Sequence, residues 1–255
     1  MKLNLVPART GVLWVRAGVR TFFRQPLAMA GLLLMFMTTL SLIAMLPFVG
    51  GLLALVAVPG ATVGLMAATR EADEGRFPMP LLLFTAFRQG PQATRAMLVL
   101  GGLYALCALA VMGLSALIDG GQFARLYVEG GGLTRELLME PQFRLAMWVA
   151  TLLYLPISLA FWHAPALVHW DGVPPLKSLF FSAVAVLRNT RAFLMYGLMW
   201  MVISFAAGLV LLMATAFTGN AAIASAGLLP VTLLIAAMFF SSLWFTFRDC
   251  FSQTA

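Results

Sequence analysis

The residues able to do chemistry are few and poorly placed for it. His163 and His169 lie six positions apart in an apolar stretch. On a regular helix that spacing turns through about 240°, so the two rings cannot close on one metal. An intramembrane His163 could relay a proton or lie at a polar solute path, or bond a backbone carbonyl freed by Pro165. Ser158 stands five residues before His163, about 140° off its face, a poor nucleophile-base pair. Glu71, Asp73 and Glu74 have no His or Cys nearby and lack the glycine and distal Glu of a calcium loop, so they read as a solvated loop. Gly130-Gly131-Gly132 is followed by no Lys-Ser/Thr and leaves no strand, which predicts flexibility, not a phosphate cradle. There is no H-E-x-x-H and no pair of membrane carboxylates. The expectation is a non-enzyme without cofactor or metal.

A different pattern recurs: Phe23-Arg24-Gln25, Phe87-Arg88-Gln89 and Leu187-Arg188-Asn189. Each sets an apolar anchor, a guanidinium and an amide where a short helix bends into a long apolar run. Arg24, Gln25, Arg88, Gln89, Arg188 and Asn189 are therefore candidates for lipid headgroups or an interface, unless the arginines merely snorkel to phosphates.

The elements carrying these groups belong to a membrane. Hydrophobic residues make up 62% and charged ones 10%, with a mean hydropathy of +0.96; soluble domains carry about 25% charged residues. The net charge of +7 does not point to nucleic acid, because the cations flank apolar runs and are not gathered on a soluble surface. Cys107 and Cys250 suggest neither a disulfide nor a metal site. Lys2, Arg9, Arg16, Arg20 and Arg24 precede the apolar run Leu27–Leu46, which reads as a retained first span and not a cleaved leader. Those arginines from Arg9 onward share one helical stripe, with Trp14, Ala17, Gly18, Thr21 and Phe22 on another, so an interfacial helix is expected.

Leu27 to Thr69 is uncharged. As one helix it would be about 65 Å long, twice the roughly 30 Å hydrocarbon core, so Pro47-Phe48-Val49-Gly50-Gly51 must turn it. The predicted fold is an all-α integral membrane bundle, one domain over 1–255, with spans at about 27–46, 50–69, 96–118, 145–168, 192–217 and 221–247. Pro59 should kink the second span, where Gly60, Gly64 and Ala68 form a small-residue ridge for close packing. Leu81–Phe87 is expected as a short helix in the interface or between spans. Three tandem units, about 7–69, 78–168 and 174–248, each join an interfacial helix to a hairpin of spans.

In Asp171–Trp200, Leu176, Leu179, Phe180, Ala183 and Leu187 mark an oil-facing stripe, and Ser178, Ser182, Ala185 and Asn189 fall on the opposite face, with Ser178 and Ser182 expected to meet water or a partner. If both termini, the 70–95 loop and the 171–191 segment are cytoplasmic, 13 of 16 Lys and Arg are inside, leaving Arg125, Arg135 and Arg144 outside.

Trp14, Gly18, Phe22 and Pro26, then Ala164-Pro165-Ala166-Leu167-Val168, Gly172-Val173-Pro174, Ser182, Arg188-Asn189 and Tyr196-Gly197 carry a resemblance covering most of the chain. The sequence resembles uncharacterised proteobacterial inner-membrane proteins, distantly similar to membrane domains attached to some glycerophosphodiesterases. The resemblance implies a multi-pass fold in the bacterial inner membrane and supplies no reaction; no phosphodiesterase domain is present in this sequence. The expected role is a non-enzymatic protein binding anionic lipids or a protein partner. The alternative is a small-solute transporter with a site near Pro59, Pro156, His163 and Pro165, where broken helices would expose backbone groups.

Overall fold

A computed structural model describes residues 2–129, 133–220 and 222–252. The triple glycine and the first residue of the expected sixth span lie outside them. The chain runs β1 (Lys2–Leu3), α1 (Thr10–Arg24), α2 (Pro26–Ala44), α3 (Gly50–Asp73), a 3-10 helix (Pro80–Phe87), α4 (Pro91–Asp119), α5 (Gln122–Glu129), α6 (Arg135–Met139), α7 (Pro141–Phe161), α8 (Ala164–Trp170), α9 (Pro175–Arg188), α10 (Thr190–Thr218), α11 (Ala222–Cys250) and β2 (Phe251–Ser252). Six stretches are long and apolar enough to cross a membrane: α2, α3, α4, α7 with α8, α10 and α11.

Local chemistry sets the boundaries. Proline occupies the first turn of α2, α4, α7, α8 and α9, where its missing N–H costs nothing. Gly219 closes α10 at φ 66°, a left-handed cap that a side chain would strain. The turn after α2 puts Phe48, fully exposed, at φ 63°. The helix prolines differ in their effect. Helix α3 runs through Pro59, whereas the fourth span breaks at Trp162-His163, just before Pro165 in the first turn of α8.

The bundle is welded at one end and open at the other. Along α10, Leu198, Met201, Phe205, Val210 and Leu212 are exposed, the expected surface for lipid. The core instead gathers Trp14, Phe22, Leu33, Met66, Leu167, Tyr196, Phe245 and Phe247, around the packing of α1 on α10, α11 and α3. Small residues allow the approach. A Cβ at Gly18 would lie 2.5–2.8 Å from Ser242 atoms, and one at Gly11 would lie 2.1 Å from the Ala192 carbonyl.

The short helices follow a regular docking rule. Helix α1 packs on α10 and α11, the 3-10 helix on α3, and α9 on α7 and α8. Each thus lies mainly on the hairpin that precedes it in the chain, and the first lies on the last. The small-residue ridge of α3 serves this contact: Gly64 meets the Leu83 backbone, and Gly60 meets the Phe87 ring. A two-residue antiparallel pairing, Lys2 with Ser252 and Leu3 with Phe251, joins the termini. No sequence pattern foretold those strands.

Candidate functional site

Helix α9 corrects the largest expectation. Ser178 and Ser182 are wholly buried, as is Ala185, and Asn189 is 2% exposed; Leu176, Phe180 and Leu187 are more than 60% exposed. Three of the five stripe residues are thus exposed, while Leu179 packs on the core, and the opposite face meets protein and not water. In a membrane protein small and polar side chains serve helix contacts while large apolar ones face lipid. The amphipathic pattern fixed the two faces, and periodicity cannot say which medium covers the polar one.

Ser182 mends the break in the fourth span. His163 N–H donates to Ser182 Oγ at 2.8 Å, and Ser182 Oγ donates to the Leu159 carbonyl at 2.9 Å. One hydroxyl therefore serves a donor and an acceptor that the interrupted helix leaves over. Beside it, Thr246 Oγ1 donates to the Leu243 carbonyl at 2.8 Å and receives Trp162 Nε1–H at 3.2 Å. Its remaining lone pair faces His163 Nε2 at 3.2 Å, which assigns the proton to Nε2. The ring is packed among Phe193, Phe247 and Phe251 with centroids 5.4–6.1 Å away. His163 is 0% exposed. Pro165 is buried beside it in α8, and Pro59 is buried in α3. His169 belongs to a separate contact, with Gln89 Nε2 3.2 Å from its Nε2.

The three basic-amide corners also have distinct environments. Arg24 donates to the Asp73 carbonyl at 2.7 Å and pairs with Asp73 Oδ1 at 3.4 Å, while Gln25 Nε2 reaches the Arg76 carbonyl at 3.0 Å. Arg248 meets the other Asp73 oxygen at 3.6 Å. Asp73 therefore holds the ends of α1, α3 and α11 together. Glu71 and Glu74 are gripped by Arg76, and Glu74 also by Arg70 at 3.1 Å. The hydrogen bonds from Arg70 and Arg76 hold the Glu74 carboxyl below its ordinary range. The three acids are thus a solvent-accessible, guanidinium-bound knot at the end of α3, where the sequence suggested a solvated loop.

Asn189 is not available to a headgroup. Its Oδ1 accepts Val6 N–H at 2.8 Å, and its Nδ2 donates to the Asn4 and Ala185 carbonyls, both at 3.0 Å. Trp14 Nε1–H donates to Asp249 Oδ2 at 2.9 Å nearby. Asp73, Asp249, Ser182 and Thr246 are the working polar residues that sequence reading missed. Only Ser182 carried a signal, lying with Ser178, Ala185 and Asn189 on one small-residue stripe.

Arg88 and Arg188 remain as the open members of the corners. With Arg9, Arg16, Arg20, Arg95, Lys177 and Arg191 they are exposed and, among the described residues, form no ion pair. All flank the end of the bundle where the termini, the α3 knot and α9 interlock. The acids Glu71, Asp73, Glu74 and Asp249 at that end are already paired with arginine. The result is a basic face framed by the exposed Leu176, Phe180 and Leu187 of α9.

This is a multi-pass, all-α membrane protein with a consolidated basic end. Over 254 residues it is 38% identical to a protein of Burkholderia thailandensis described as a probable inner membrane protein, covering 98% of this chain and 94% of that one. The chain belongs to the family of that protein. No family model matches the sequence, and no solved structure matches it.

Proposed function

We propose that this is a non-enzymatic protein of the bacterial inner membrane that gathers anionic lipids at a cytoplasmic basic face. The observation carrying this reading is the division among its cations: Arg24, Arg70, Arg76 and Arg248 bind acids, while eight others on the same end stay exposed without an ion pair. A Lys or Arg near an anionic leaflet contributes about 1 kcal/mol. Several together, held on a rigid frame, select anionic headgroups over zwitterionic ones. The exposed Leu176, Phe180 and Leu187 set α9 at the depth where Lys177 and Arg188 meet phosphates. Both termini then lie in the cytoplasm, in keeping with the excess of cations on their side.

Hydrolysis forms no part of the proposal. A transporter reading draws less support. Its best candidate group, the His163 imidazole, is enclosed by aromatic rings, with Nε2 held by Thr246.

The test is native mass spectrometry of protein purified from membranes of mixed lipid composition. The wild type should retain phosphatidylglycerol over phosphatidylethanolamine. Joint replacement of Arg16, Arg20, Arg88, Arg188 and Arg191 by Gln should abolish that preference while the protein stays folded. An unchanged preference in the variant overturns the proposal.

A further inference from the structure

Away from the basic face, α3, α4 and α7 part to leave a cavity of about 230 Å³. Ala108 and Val111 of α4 and Ala150 of α7 form its floor, each less than 9% exposed. Tyr104 and Tyr154 stand at its margin with their hydroxyls 2.7 Å apart. Both tyrosines lie thirteen residues into their helices, so the opening is about 20 Å along the axis from where α4 and α7 begin. That depth lies within hydrocarbon, not at a water interface.

The water-side end is closed. Asp119 receives Gly121 N–H at 2.8 Å and Phe123 N–H at 2.6 Å, which folds α5 back over the helix ends. Phe123 then packs against Phe143 and contributes to the cavity wall. Helix α5 thus covers that end among the described residues, whereas Thr151 and Tyr154 at the cavity's side are exposed where the bundle meets the bilayer. Apolar cavities of about 150 Å³ already stay dry and admit small hydrocarbons. We infer that this cavity is a lateral binding site for one acyl chain of a membrane phospholipid, entering between α4 and α7 beside the Tyr104–Tyr154 pair. The site is independent of the basic face, since none of its walls carries a charge.

The inference is tested in vesicles whose phospholipids carry a photoactivatable diazirine along one acyl chain. After irradiation, labelled residues are mapped by peptide mass spectrometry. Ala108, Val111 and Ala150 should be labelled at least as strongly as the lipid-facing Leu209 and Val210, although their burial removes them from ordinary lipid contact. Filling the space with Ala108→Leu and Ala150→Leu should cut that labelling several-fold and leave Leu209 and Val210 unchanged. If the double variant does not fold, Thr151→Trp at the mouth should give the same loss. Labelling of the cavity residues no higher than that of the fully packed Leu100 and Ala146 overturns the inference. So does labelling that ignores both variants, or labelling obtained only with a diazirine-bearing isoprenoid.

Discussion

The amide of Asn189 binds the carbonyl of Asn4 at 3.0 Å, joining two residues that lie 185 positions apart in the chain. The same amide takes the Val6 N–H and the Ala185 carbonyl, so the corner between α9 and α10 holds the N-terminal segment beside β2. A residue suited by type to a lipid headgroup instead closes the protein upon itself.

Replacing Asn189 with Ala removes these bonds together and strands the Val6 N–H. With each net bond contributing about 1 kcal/mol and an orphaned buried group costing more, the loss should be about 2–4 kcal/mol. Reversible unfolding in detergent measures it. Hydrogen exchange should accelerate at Val6 in the variant.

Ser182 gives a sharper test of which face of α9 is wet. In Ser182→Ala the His163 N–H and Leu159 carbonyl lose their shared partner, which should cost about 1–3 kcal/mol. In Ser182→Cys the thiol should resist a membrane-impermeant maleimide that readily labels Lys177→Cys. Fast labelling at position 182 in a folded protein would restore the water-facing reading.

Adjacent glycines in α4 separate helix packing from helix propensity. A Cβ at Gly101 would sit 2.1 Å from the Val56 carbonyl, while one at Gly102 would meet nothing within 4 Å. Gly101→Leu should therefore separate α4 from α3 and cost about 1–3 kcal/mol or more. Gly102→Leu should be neutral or mildly stabilising by the same unfolding measurement.

The six spans were legible because uncharged runs near the bilayer length admit few other structures. Their first turn was legible too: Pro47–Gly51 lies where the chain reverses. The site was harder to read because its decisive partners are remote. Nothing local to Asp73 announces Arg24 and Arg248, and nothing near Thr246 announces His163. Helical periodicity separated the faces of α9, yet only tertiary packing decided that Ser182 faces protein. The break before Pro165 and the unbroken run of α3 through Pro59 make the same point. A proline marks where a helix can yield, and its neighbours decide whether it does.

The basic face is tested most directly by spin-labelled lipids in reconstituted vesicles. Spectra of phosphatidylglycerol and phosphatidylcholine probes report how many of each are immobilised against the protein. At low ionic strength the anionic probe should be favoured several-fold, and the preference should fall as salt screens the exposed arginines. Equal immobilisation of the two probes at low salt would contradict a lipid-gathering role.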